Sequence, residues 1–257
     1  MGCSVMIVAK NESRHIVDCL ASCAPFASEF VIIDDFSTDD MVAKIQSSVW
    51  ADRTRILQRA LDGDWGAQQT FGIRACREDW VFLIDADERC SDELAQEIKE
   101  LTTLPPTKAF WVKRINHFAQ RRVLRGPLAP DWVLRLIPQS SHVEGRVHQT
   151  VCVEVPEDRL QHTMNHYTYQ DWAHYERKMN LYSTLAAQKY FEQQKSVHPV
   201  ADVVLRPAIA FLKMYLLKGG FLEGTLGFML CMQYANYTMA KYIKLAELTR
   251  AKGTHQS

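Results

Sequence analysis

Hydrophobic and polar positions along the first hundred residues follow two rhythms. Short runs at 3–9, 30–33, 55–58 and 80–84 have the length and apolar content of buried strands. Between them, apolar side chains recur at helical spacing. Ile16, Val17, Leu20 and Cys23 follow Ser13. Val42, Ile45 and Val49 follow Thr38 or Ser37 as the cap, and further helices are predicted over 66–76 and 91–101. This alternation predicts an α/β fold with a mostly parallel sheet flanked by helices. Ligands of such sheets bind beyond the carboxyl ends of the strands. Asp34/Asp35 and Asp85/Asp87 both fall there.

The rhythm changes at Pro105-Pro106. Segments 109–115, 132–137 and 149–155 read as strands, punctuated by Gly126-Pro127, Pro130 and Pro138. From Tyr169 the chain is helical, with one long helix over 172–194 and another over 203–217 that carries Pro207 in its first turns. The segment 221–248 is rich in Phe, Leu, Met and Tyr. The predicted organisation is an α/β half at 1–104, a mixed β region of the same domain at 105–168, and a C-terminal helical extension at 169–257.

Composition sharpens this only when divided. The 257 residues are 47% hydrophobic and 23% charged, with 30 basic side chains against 30 acidic ones, which gives no support to nucleic-acid binding or a charged disordered tail. Yet 1–104 holds 10 basic and 19 acidic side chains, 105–150 holds 8 and 2, and 151–257 holds 12 and 9. Such segregation predicts a cation handled in one region and an anion in another. Seven scattered cysteines without a C-x-x-C pair read as reduced buried thiols of a cytosolic protein. The start of the chain lacks the pattern of a signal peptide, and no run of about 18 uncharged apolar residues predicts a span.

Asp85-Ala86-Asp87, after an apolar strand, is the sharpest chemical signal. Two carboxylates one residue apart can hold one hard divalent cation that bridges phosphate oxygens. The competing reading makes Asp87, Glu88 and Asp92 acidic neighbours of a helix N-terminus. The order of three segments decides between them. The segments 4–12 (ending Lys10-Asn11-Glu12), 31–39 (with Asp34-Asp35-Phe36-Ser37-Thr38-Asp39) and 80–88 (ending Asp85-Ala86-Asp87-Glu88) together resemble family 2 glycosyltransferases. These are inverting, nucleotide-sugar-dependent enzymes with the GT-A fold. The likeness runs over nearly the whole chain. Val133-Leu134-Arg135-Leu136, Val147-His148, His166-Tyr167-Thr168-Tyr169 and Lys178-Met179-Asn180 narrow it to bacterial lipopolysaccharide inner-core β-1,4-glucosyltransferases that act on heptose.

The resemblance implies a set of roles. Val8 and Ala9 lie against the nucleobase, with Asn11 and Glu12 following on the donor side. Asp35, or else Asp34, accepts from the uracil imide. Asp87 ligates a Mg²⁺ or Mn²⁺ ion, Asp85 contacts the ribose or the ion's water shell, and His166 supplies a third metal contact unless it is a core histidine bonded to backbone. Arg135 assists the leaving diphosphate, as does Arg146. Three departures stand out: no hydroxyl-bearing residue near Val8, Gln69-Thr70 where relatives tend to show Arg-Asn, and His148-Gln149 in place of His-Glu. An amide is not a general base. That leaves Glu144 or His148 for the acceptor proton, with Asp131 a further candidate.

Lys113, Arg114, Arg121, Arg122 and Arg125 exceed what solubility needs, although several are expected to be merely solvated. They suit an anionic glycolipid acceptor such as a lipopolysaccharide core. Residues 206–250, with 6 basic and 2 acidic side chains among large apolar ones, suit either a packed helical cap or peripheral contact with the cytoplasmic face of an inner membrane. The expectation is transfer of a hexose, glucose from UDP-glucose, to an inner-core heptose. The alternatives are a transferase of another surface polysaccharide or glycolipid, and an inactive nucleotide-binding homologue acting as a scaffold. A nucleotidylyltransferase is disfavoured because no glycine-rich phosphate loop follows Ala9.

Overall fold

In the computed structural model, which describes residues 2–146 and 149–254, the first apolar run forms β1 (Cys3–Ala9), buried except at Val8. Beside it lie β2 (Ala27–Asp34) and β4 (Trp80–Leu83), both parallel to it, and β3 (Thr54–Gln58) pairs in parallel with β2. Continuous apolar strands of this kind need cover on both faces. On one face, Ile16, Cys19, Leu20 and Cys23 of α1 (Ile16–Cys23) and Leu94, Ala95 and Ile98 of α4 (Asp92–Leu101) complete a core around Val5, Ile7, Phe30 and Phe82. On the other, α3 (Trp65–Ala75) covers Met6, Val31 and Ile33. Gly72 permits that approach, because a Cβ there would come within 2.6 Å of the Met6 sulfur.

The sheet then turns antiparallel. Its order is β3-β2-β1-β4-β8-β6-β11-β5, with β8 at Asp131–Pro138, β6 at Ala109–Phe118, β11 at Glu157–Tyr169 and β5 at Glu88–Cys90. The expected α/β architecture is therefore present: a parallel half from the first part of the chain and a mixed β region after Pro106. A small hairpin, β9 (His142–Glu144) with β10 (Thr150–Cys152), packs on α3. Only 150–152 of the predicted strand 149–155 is extended in this way.

Asp64 caps α3, accepting from the Ala67 amide at 2.9 Å, and Ser91 caps α4, accepting from the Leu94 amide at 3.2 Å. The cap expected from the sequence fails at α2 (Met41–Gln46), which neither Thr38 nor Ser37 caps. The amides of Thr38 and Asp39 instead bond to the Asn11 side chain, and this holds the loop open until Met41. Val49, predicted on that helix's inner face, lies beyond its end and is 87% exposed.

The chain divides into two compact units. One comprises residues up to Ile115 together with Asp131–His166, and the other comprises Asn116–Pro130 and everything from Tyr167 onward. In the second unit β7 (Arg121–Val123) pairs with the end of β6, while α5 (Trp172–Glu192) packs on α7 (Gly224–Thr254). Phe118, Tyr169, Tyr175 and Leu230 form one core there, and Ala187, Tyr242 and Leu245 another. The Lys244 ammonium on α7 binds Asn180, Ser183 and Thr184 of α5. A further helix runs over 199–217, with α6 (Arg206–Leu212) between two stretches of wider π turns. It starts earlier than the sequence predicts. Pro207 thus falls in its interior, where the wider turns accommodate its missing amide. All seven cysteines are thiols, and six are buried. Burial pushes the Cys76 thiol up to about 12 and Cys231 up to about 11.

Candidate active site

Two acidic strand ends flank β1 at its carboxyl end. The first follows β2. Asp34 is fully buried and accepts from the Ser37 amide at 2.9 Å and from Gln58 at 3.3 Å, so it builds the turn. Asp35 is partly buried, with 15% of its side chain exposed. Lys10 Nζ lies 2.9 Å from one oxygen, and the Leu61 amide donates to the other at 3.0 Å. Partial burial works to raise its pKa, but the Lys10 and Leu61 bonds outweigh it and hold Asp35 below the usual carboxylate range. Asn11 stitches the strand ends together: its amide donates to Ser37 Oγ and its side-chain oxygen accepts from Thr38 at 2.7 Å. Asn11 takes the left-handed conformation (φ 56°), which asparagine tolerates well. Val8 is half-buried and Ala9 buried, with the Ala9 carbonyl accepting from the Asp35 amide. The Glu12 carbonyl opens the turn into α1.

The second strand end follows β4. Glu88, immediately after the Asp-x-Asp pair, is completely buried and organises the cluster. Its carboxylate accepts from Arg135 at 2.8 Å, from Arg114 at 3.0 Å and from the Asp85 amide at 2.9 Å. Arg135 also donates to Asp85 Oδ2 at 2.6 Å, and Arg114 pairs with Asp131 at 2.9 Å. Desolvation opposes the charge on Asp85. Arg135 and Arg114 overcome it despite repulsion from Asp87, and Asp85 sits below its ordinary range. Arg135 itself is shifted upward, because the attraction of Asp85 and Glu88 exceeds the cost of burial.

Asp87 lies on the far side of the turn, with its carboxylate 3.5 Å from His166 Nε2. Strand register explains this, since His166 on β11 pairs with Glu88 on β5. Arg89 holds the turn by donating to the Ala86 and Glu88 carbonyls, each at 2.8 Å. By residue type the two carboxylates suit a hard divalent cation, and the imidazole nitrogen a softer one. Both guanidinium contacts on Asp85 fall on Oδ2, and 45% of that side chain remains exposed, which leaves Oδ1 able to take a ligand.

The remaining sequence-predicted residues collect elsewhere. Gln69 is half-buried on α3, and the fully buried amide is its neighbour Gln68, which exchanges hydrogen bonds with Arg59. Glu144 stands on the β9–β10 hairpin, where strand alternation turns Val143 inward and leaves Glu144 71% exposed. It lines an open cavity of about 570 Å³ with Arg59, Asp64, Arg74, His142 and Arg146. Gly66 lets α3 meet this hairpin, since a Cβ there would lie 2.7 Å from the Gly145 carbonyl oxygen. The ligating atoms of His142, Glu144 and Cys152 lie within 4.8 Å of one another. Gln149 is exposed, and His148 lies outside the described residues.

Three expectations change. Arg114, grouped with solvated cations, is only 18% exposed and bridges Glu88 to Asp131. Asp131, considered as a base, is engaged by that guanidinium. Glu88, read as part of a motif or as an acidic neighbour of a helix N-terminus, instead anchors both arginines. The available signal was an arginine in a half-buried strand, which demands a carboxylate partner.

The family model described as "Glycosyl transferase family 2" matches residues 4–191. The chain is 28% identical to the lipopolysaccharide core biosynthesis glycosyltransferase LpsC of Rhizobium meliloti (strain 1021), over 94% of this chain and 91% of that one. An uncharacterized glycosyltransferase of Rickettsia prowazekii (strain Madrid E) is 26% identical over 95% and 86%. Among solved structures, S. aureus TarS matches with TM-score 0.49 and 13% identity, over 93% of this chain and 49% of that one, so the chain spans about half of its length.

Proposed function

The chain belongs to glycosyl transferase family 2 and is a glycosyltransferase with the GT-A fold, and on that premise we propose that it is an inverting, metal-dependent hexosyltransferase. The reading assigns UDP-glucose as donor and an inner-core heptose of lipopolysaccharide as acceptor, at the cytoplasmic face of the inner membrane. One observation carries it: two differently built carboxylate clusters stand at the carboxyl ends of the strands on either side of β1. The likeness to LpsC, a core biosynthesis enzyme, supports the acceptor class.

In this reading Asp35 receives the uracil imide proton donor while Lys10 keeps it ionised. Val8 and Ala9 face the base, and Asn11, Glu12 and Asp34 hold the loop that frames it. Asp85, Asp87 and His166 would hold Mg²⁺ or Mn²⁺, which when bound neutralises charge building on the leaving diphosphate. Arg135 and Arg114 keep Asp85 ionised and fixed, so that a carboxylate oxygen faces the donor without a change in protonation. Gln69 faces the donor from α3. The acceptor proton goes to Glu144 or His148. Glu144→Gln and His148→Ala separate these two, because only the base variant should flatten the rising limb of the pH–rate profile.

The direct test is UDP release from UDP-glucose with Mg²⁺ or Mn²⁺, with and without a heptose-containing core acceptor. Acceptor-stimulated release is expected. UDP binding without turnover on any acceptor would favour the second reading, an inactive scaffold, which the amide at Gln149 motivates. A panel of UDP-galactose and UDP-N-acetylglucosamine tests the donor.

A further inference from the structure

The helix over 199–217 has one packed face and one bare face. Its inner side contacts α7, where Val203 joins the Tyr242–Leu245 core and Phe211 meets Phe228 edge-on. Its outer side carries Leu205, Ile209, Leu212 and Leu216, spaced so that they form one stripe, with Leu217 and Phe221 extending it. Ile209 is 62% exposed and Leu217 is 84% exposed. A stripe this long on a monomer's surface marks a contact.

Charge identifies the occupant. Residues 196–246 contain only two carboxylates, Asp202 and Glu223, and both are buried. Asp202 is bound by Arg206 and by the His198 amide at 2.8 Å. Glu223 accepts from the Leu124 amide at 2.9 Å and pairs with Arg121 at 3.5 Å. No exposed carboxylate therefore borders the stripe among these residues, whereas Arg206, Lys213 and Lys218 are exposed along it. A two-fold copy of the chain would bring these cations against themselves with no acidic partner. An anionic lipid surface satisfies both features. No helix among the described residues is long and apolar enough to cross a membrane.

We infer that the outer face of the 199–217 helix is the surface by which this chain lies on an anionic bilayer, its apolar stripe at the headgroup–acyl boundary and its cations at lipid phosphates. The inference rests on the peripheral location proposed above and assigns that location to a surface.

Flotation of the full chain with vesicles tests it, comparing phosphatidylglycerol mixed into phosphatidylcholine with phosphatidylcholine alone. The wild-type chain should float with the anionic vesicles and be released by salt. The combined Ile209→Gln, Leu212→Gln and Leu216→Gln variant should lose about tenfold or more in partitioning. Lys213→Gln with Lys218→Gln should weaken binding only to the anionic vesicles. These positions are solvent-facing, and circular dichroism confirms that the variants fold. Failure of the wild type to float overturns the inference, as does a stripe variant that binds equally well. So does a wild-type dimer in sedimentation that the stripe variant converts to monomer. UDP release in the same samples is independent: vesicle binding without turnover counts against the transferase reading and leaves the surface standing.

Discussion

The two acidic strand ends look alike in sequence and are built on opposite principles. At 34–40 main-chain amides hold the carboxylates, Asn11 holds the loop by accepting from its amides, and one lysine reaches Asp35 from the surface. At 85–88 a buried Arg135 and a partly buried Arg114 hold the carboxylates, and a completely buried Glu88 holds the arginines. The first arrangement shapes a loop and leaves one carboxylate able to accept from a neutral donor. The second fixes dense charge in a low-dielectric setting, where losing one partner strands the others. Nucleobase recognition suits the first and a cation suits the second.

The largest expected effect breaks the second cluster at its root. Glu88→Ala leaves Arg135 and Arg114 without their shared partner and should destabilise the chain by about 3–5 kcal/mol in urea unfolding. That is a large fraction of a domain's stability. At the first cluster the isosteric Asp34→Asn should be much milder, because the replacement can still accept a bond from the Ser37 amide. Next in size, Asp87→Ala should lower donor turnover by about a thousandfold while the melting temperature stays close to that of the wild type. An activity loss accompanied by unfolding would move Asp87 into the scaffold with Glu88.

Asp35→Asn should act on binding. It loses one charge-assisted acceptor, so the KM for the UDP-sugar should rise about tenfold with little change in kcat. The smallest effect is in acid. The folded-state values of Asp35 and Asp85 are both depressed, so their contribution is present above the unfolded carboxylate pKa near about 4 and is lost as pH falls through the folded values. In Arg135→Met, Asp85 loses its main stabilising charge. The acid transition followed by circular dichroism should then shift to higher pH.

The parallel half was legible because strands covered on both faces must be continuously apolar. The pattern marks β1, β3 and β4 to within a residue, whereas β2 begins three residues before its predicted start. Strands of three residues such as β5, β7 and β9 are too short to show a period, and the π turns around α6 follow no rhythm that sequence spacing reveals. The acidic pairs were visible because they sit at strand ends. Their support was not, since an arginine in isolation reads as surface. Arg135 meets Asp85 fifty positions away through the β4–β8 pairing, and cross-strand register of that kind is set by the whole sheet. Asn11 escaped its structural role for a related reason: its partners, 37 to 39, belong to the next strand's loop.

Calorimetric titration of UDP into the wild type, Asp35→Asn and Asp87→Ala, each with Mn²⁺ and with chelator, tests the contrast between the clusters most directly. Wild-type affinity should rise when Mn²⁺ is present. Asp35→Asn should weaken UDP by a similar factor in both conditions, and Asp87→Ala should abolish the difference between them while retaining the metal-independent affinity. Equal metal enhancement in all three proteins would contradict the assignment of the cation to the 85–88 cluster.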